Sequence, residues 1–344
     1  MSFPNSEAPV PLPLLWSVCI AVCSLSVALP ILLGVADIPI TEVAQALVGN
    51  GSIQTKIIIM DIRVPRIVTG ALAGIHFAVA GLILQNITRN PLADPSIMGI
   101  SQGAILAVTV FLLFAVYLQD PSANTLHALP VAWLPVIGTA GGIAAGAVIY
   151  ALAFSRNLGP LQITLCGIAV GAVLHATAIG LMSGWGSTRM ELLLEWLSGS
   201  LYARTWTHAL FLLPFTIVGL LALPVMRRPL DLLRLDPLVA RSRGVAYPWH
   251  FSIALVLSSV LAASAVGVVG PIVFVGLIVP HLARLLCGRR TSLVLPMTIT
   301  LGAVTVTLGD LIGRLVGQVE EIPIGVITAI CGAPLLIVLL RRLS

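Results

Sequence analysis

Charge is what this sequence has least of. Asp, Glu, Lys and Arg make up 9% of its 344 residues, against about 25% in an ordinary soluble domain. So few charges cannot coat a water-facing surface, which excludes a soluble globular protein, a disordered chain and a nucleic-acid binder. Lysine is nearly absent: Lys56 stands against 17 arginines. It does not complete a Gly-x-x-x-x-Gly-Lys-Ser/Thr loop, so the chain lacks the phosphate cradle needed to hydrolyse ATP itself. Cysteine is sparse (Cys19, Cys23, Cys166, Cys287, Cys331) and no pair forms Cys-x-x-Cys, which excludes a disulfide scaffold and leaves helix packing as the reading. The six histidines show no His-x-x-x-His or His-Glu-x-x-His spacing, so metal ligation and metalloprotease chemistry have no support. His76 and His175 fall within apolar stretches, where they either pack or line a path. The segment 1–13 is polar and proline-rich without Lys or Arg, and so lacks the basic start of a signal peptide.

What the sequence has is apolar length. Hydrophobic residues are 58% of the chain, and the mean hydropathy is +1.08. A transmembrane helix takes about 20 apolar residues, and the stretches here supply about ten. They are expected at 14–36, 65–87, 96–118, 131–154, 161–183, 206–226, 249–270, 271–287, 292–316 and 323–341. The expected fold is an all-α membrane protein, one polytopic domain over 1–344. The run from Phe251 to Leu286 is too long for one helix, and Gly270-Pro271 is the natural place to break it.

An even count of spans puts both termini on one side. With termini in the cytoplasm, twelve arginines fall inside: Arg89, Arg156, Arg227, Arg228, Arg234, Arg241, Arg243, Arg284, Arg289, Arg290, Arg341 and Arg342. Six basic residues fall outside: Lys56, Arg63, Arg66, Arg189, Arg204 and Arg314. The positive-inside rule favours this orientation. Most acids then fall outside, among them Asp120, Glu191, Glu195, Glu320 and Glu321. Glycines recur four apart at 70/74, 138/142/146, 167/171, 180/184 and 309/313/317, a spacing that lets helix backbones approach closely. Asp310 and Arg314, one turn apart, read as a local ion pair rather than a proton relay. The longest polar connection, 227–248, alternates apolar and charged residues. It is expected to form one or two short amphipathic helices, lying in the headgroups or docking a partner.

Pattern alone stops at a polytopic membrane protein of transporter type. The segment Arg63-Val64-Pro65-Arg66, Gly70, Gly81, Gln85, RNPLADP at 89–95, Gly99 and SQGA at 101–104 resembles the FecCD-type permeases. So do WLSGSL at 196–201 with Trp206, GPIVFVGLIVPHLAR at 270–284, GDLIGR at 309–314, and Glu321 to Gly325 with Gly332-Ala333-Pro334. The resemblance covers about residues 40 to 342, and four separated motifs stand in the family's order. These permeases are membrane subunits of type II ABC importers for iron-siderophore complexes, haem and cobalamin, with a BtuC-like fold of ten helices and cytoplasmic termini.

The resemblance implies a transport subunit that is not itself an enzyme, in a bacterial inner membrane. It implies a second permease copy or paralogue, two ATP-binding subunits that carry the ATP and Mg, and a substrate-binding protein. No cofactor would be bound by this chain. Arg63, Arg66 and Arg314 would receive acidic residues of the binding protein, since guanidinium forks grip carboxylates bidentately. Asn90 and Leu92, with Gly159, Pro160 and Leu161, would close the cytoplasmic gate. The connection around Asp231, Leu232, Leu233, Arg234, Asp236, Leu238 and Arg241 would seat on the ATPase. Here Leu235-Asp236-Pro237 and Ser242-Arg243-Gly244 replace the Leu-Gly pairs frequent in the family, and Pro237 favours a helix start. A ferric siderophore is the favoured cargo. Haem or cobalamin, an ion-coupled carrier and an intramembrane enzyme remain the alternatives.

Overall fold

The computed structural model describes residues 12–34, 36–117, 131–155, 159–183, 196–288, 290–317 and 321–343. The tail before residue 12, Asp120, His127, Arg156, Gly184, Arg189, Glu191, Glu195, Arg289 and Glu320, all used above, lie outside them, as does the side chain of Arg342.

Every expected apolar stretch is helical, and among the described residues there is no strand. The helices are α1 (Leu12–Leu32), α2 (Ile40–Leu47), α3 (Ile53–Thr88), α4 (Ile100–Leu112), α5 (Leu134–Ser155) and α6 (Pro160–Met182). They continue as α7 (Trp206–Leu233), α8 (Pro237–Ser242), α9 (Tyr247–Val269), α10 (Val275–Cys287), α11 (Thr291–Gly317) and α12 (Ile324–Leu343). Seven are long and apolar enough to cross a membrane: α1, α3, α5, α6, α7, α9 and α11. Segments 100–115, 275–287 and 324–338 are apolar but shorter.

The chain breaks where Gly270-Pro271 implied. Gly270 has φ 77°, and Phe274, with φ 71°, precedes α10. Thus α10 begins four residues later than the expected span and has 13 residues, about 20 Å of helix against a hydrocarbon core of about 30 Å. The amphipathic connection also differs from expectation. Its first part is no separate helix, because α7 continues through Arg227-Arg228-Pro229 to Leu233. Leu230 and Leu233 are fully buried and hold that extension against the bundle, outweighing the hydrogen bond that an interior proline removes. Only α8 stands apart. Asp236 caps it by accepting from the Leu238 N–H at 2.9 Å, with Pro237 at its first position.

The centre of the bundle is α3, packed on α11, α9, α7 and α10. Glycines make those approaches possible. A Cβ at Gly74 would overlap the Gly302 carbonyl of α11, and one at Gly81 would overlap the Gly276 carbonyl of α10. Gly138 meets Gly267, and Gly167 and Gly171 meet Met98 and Gly99. Gly180 is the exception: a side chain there would enter open space. Helical threonines such as Thr69, Thr88 and Thr298 donate to the carbonyl four residues earlier, which satisfies hydroxyls that have no water nearby.

Candidate functional site: two polar clusters at opposite ends of α3

Polar side chains gather at two places on α3, near Arg66 and near Asn86. Twenty residues of helix separate these positions, about 30 Å, the thickness of a bilayer's hydrocarbon. A long buried helix with charge at both ends suits a lipid environment, because interior charges must be paired or reach an interface.

At the first end Arg63 donates from Nη1 to the carbonyls of Ile31 (2.6 Å) and Leu32 (3.2 Å), and from Nη2 to Ala36 (2.6 Å). It thereby satisfies carbonyls left unpaired where α1 ends. Arg66 grips two carboxylates. Its Nε is 2.9 Å from Asp310 Oδ2 and its Nη2 is 2.7 Å from Oδ1; Nη1 and Nη2 reach the Glu321 oxygens at 3.0 and 2.7 Å. The local Asp310–Arg314 pair is present, with Nε 3.2 Å from Oδ2. That contact lacks hydrogen-bond alignment, and Arg314 Nη2 is buried with no acceptor. Three cations and two anions leave one positive charge in excess.

This differs from three open forks awaiting a partner's carboxylates. Arg63, Arg66 and Arg314 are 4%, 7% and 5% exposed, and the forks of Arg63 and Arg66 are occupied from within the chain. The reason is sequence-distant. Asp310 and Glu321 lie 244 and 255 residues from Arg66 and are brought to it by the packing of α3 on α11.

At the other end the turn 89–99 follows α3. Arg89 takes φ 55°, ending the helix in the left-handed region. Asn90 Oδ1 accepts from the Leu92 N–H at 3.0 Å, an Asx turn. Asp94 is 2% exposed and accepts from the Ser96 N–H at 2.7 Å and from its hydroxyl. Burial pushes its carboxyl above the ordinary range, against the pull of those bonds. Gly159 and Pro160 start α6, with Gln162 Oε1 accepting from the Gly159 N–H at 2.9 Å, and Leu161 is exposed. The turn packs against α6 further along, where Met98 and Gly99 meet Gly167 and Gly171. Sequence spacing marked those glycines for packing but not for this contact.

The connection residues divide by direction. Leu238, 74% exposed, and Arg241 face outward on α8. Asp236 caps α8, Leu232 is half-buried, and Leu233 is buried. Asp231 accepts from the hydroxyl of Thr291. Arg234 donates from Nε to Asn86 Oδ1 at 2.7 Å, and Arg284 donates to Gln85 Oε1. Gln85 Nε2 in turn donates to the carbonyls of Gly276 and Leu277 at 3.1 and 3.2 Å. Asn86 carries none of the motifs read above; a buried amide ending an apolar run was its only signal.

The histidines separate too. His76 is fully buried between the hydroxyls of Ser264 (3.0 Å) and Thr216 (2.7 Å). With Gly219 and Leu261 it lines a crevice too narrow to admit a water molecule. His175 is exposed in the middle of α6.

Among the described residues the chain is an all-helical bundle with seven membrane-capable helices and charged clusters near its two ends, the architecture of a multi-pass membrane protein. The chain belongs to the FecCD transport family, whose model matches residues 20–342. It is 33% identical to the iron(3+)-hydroxamate import system permease protein FhuG of Bacillus subtilis, covering 90% of this chain and 91% of that protein. It is 33% identical to the Fe(3+) dicitrate transport system permease protein FecD of Escherichia coli, over 83% of this chain and 86% of that one. A solved metal-chelate-type ABC transporter in an inward-facing conformation superposes with a TM-score of 0.82 at 27% identity, over 96% of this chain and 99% of that chain.

Proposed function

We propose that the chain is the membrane-spanning permease subunit of an ATP-dependent ABC importer for ferric siderophores. The observation that carries this reading is the likeness over nearly the whole length to permeases named for ferric hydroxamate and ferric citrate import, together with the metal-chelate transporter fold. Iron chelates in those names favour a ferric siderophore over haem or cobalamin. The subunit sits in a bacterial inner membrane with ten crossings and cytoplasmic termini. The Asn86 end of α3 then faces the cytoplasm and the Arg66 end faces out.

It works with a second permease, identical or paralogous, with two ATP-binding subunits and with a substrate-binding protein. The pathway lies at the two-fold between permeases. His175 supports α6 as a lining element, because an imidazole in mid-span needs water or a polar partner. The binding protein docks at the Arg66 end. Since the forks of Arg63 and Arg66 are occupied, its carboxylate takes the place of Glu321, whose side chain is 21% exposed, the most open member of the ion-pair cluster. ATP binding favours one of two states of the assembly, and the turn 89–99 with the start of α6 closes the inner end. The ATPase seat is the outward face of α8, where Leu238 and Val239 stand 74% and 45% exposed.

An exposed apolar pair on a six-residue helix at the water surface is suited to a partner's groove. Leu238→Asp with Val239→Asp is therefore expected to cut ATPase co-purification by about tenfold or more, while the permease's elution profile in detergent stays the same. Stoichiometric ATPase on the double variant would refute the assigned seat.

A further inference from the structure

The bond between Arg234 and Asn86 joins the elements that bracket the proposed coupling step. Arg234 is the first residue after α7, two residues before the Asp236 cap of α8. Asn86 lies in the last turn of α3, three residues before Arg89 opens the gate turn. They are 148 residues apart in sequence and 2.7 Å apart in space. Asn86 is 2% exposed, and its Nδ2 has no acceptor. Burying an amide half-satisfied is unfavourable, and an apolar side chain of the same size would avoid that penalty. What the amide adds is a directional attachment to Arg234.

The neighbouring residue is attached elsewhere. Gln85 is held by α10, through the Gly276 and Leu277 carbonyls and Arg284. Consecutive residues of one helix end are thus tied to two different elements. The root of α8 has a second tie, from Asp231 to Thr291 at the start of α11.

We infer that Asn86 and Arg234 are a positioning pair, transmitting displacement of α8 to the gate turn 89–99, while Gln85 and Arg284 fix the point about which the end of α3 moves. Neither residue of the pair touches cargo or nucleotide. The turn is short and folded on itself by the Asn90 and Asp94 bonds, so a shift at Asn86 passes into it instead of being absorbed. The inference rests on the importer reading above, and the wild-type control separates the two: no ATP-driven uptake by the wild-type assembly sinks the reading itself.

The test compares Asn86→Leu, which keeps the branched shape and removes the acceptor, with Asn86→Asp, which keeps an acceptor for the guanidinium. Each is reconstituted in proteoliposomes with the ATPase and binding protein. Chelate taken up per ATP hydrolysed is then measured. The leucine variant is expected to hydrolyse ATP at the wild-type rate but lower this ratio about tenfold, the equivalent of one hydrogen bond to a charged group. The aspartate variant is expected to keep the ratio. A wild-type ratio for Asn86→Leu overturns the inference, as does an equal fall in uptake and hydrolysis. If Asn86→Leu does not assemble, Asn86→Ala is measured in its place. Failure of both to assemble assigns the bond a structural role only, and also overturns it.

Discussion

Replacing Arg66 by alanine is expected to cost about 3–5 kcal/mol of stability, the range for breaking a buried ion pair by removing one partner. The loss follows from geometry. One guanidinium holds Asp310 through three hydrogen bonds and Glu321 through two more, and Asp310 is 6% exposed. Without it Asp310 keeps only the poorly aligned Arg314 contact. Arg66→Lys should also lose stability, because an ammonium lacks the planar fork that serves two carboxylates at once. The readout is the thermal midpoint and the monodisperse yield in detergent. An unchanged midpoint in Arg66→Ala would mean that the cluster contributes nothing to the α3–α11 contact. For docking, this means that charge reversal at Arg66 removes folded protein along with binding, so a binding defect is informative only beside a measured midpoint.

Gly81→Val is expected to be equally severe, at about 3 kcal/mol or more, since even overpacking against movable side chains costs about 1–3 kcal/mol. Here the obstacle is backbone: the new Cβ would occupy the place of the Gly276 carbonyl. That oxygen also accepts from Gln85 Nε2, so pushing α10 away breaks the tie at the Asn86 end of α3. Gly180→Ala is the matched control. A Cβ there meets nothing, and exchanging this last-turn glycine of α6 for alanine should be neutral or stabilising by up to about 0.5–1 kcal/mol. Retention of the native midpoint by Gly81→Val would contradict the packing described for α3 and α10.

Much of the fold could be read in the sequence, because lipid imposes few choices. Apolar runs become helices when every backbone group must be satisfied internally, and the Gly270-Pro271 break lies where the long run demanded one. Helix ends were harder. The span expected to stop at Met226 continues to Leu233, because Leu230 and Leu233 bury against neighbours that no local pattern reveals. Of the glycine pairs, most mark contacts as their spacing implied, while Gly180 does not.

The candidate site was less legible. The three arginines were found by motif, but their occupancy depends on carboxylates more than 240 residues away. The Asp310–Arg314 pair was visible because it is local. The connection was expected to seat a partner or lie in the headgroups, yet only the tertiary fold separates the outward Leu238 from the inward Arg234. Asn86 was missed because a single amide has no periodicity, and its meaning lies wholly in what it meets.

The central claim is that this chain passes a ferric chelate across a membrane, driven by ATP handled on partner subunits. The direct measurement is uptake of a labelled ferric siderophore into ionophore-treated proteoliposomes holding the permease and the ATPase, with binding protein outside and ATP inside. Accumulation that requires ATP and the binding protein, and is indifferent to the ionophore, is the predicted result. Uptake that proceeds without the ATPase subunits and is abolished by the ionophore would contradict it.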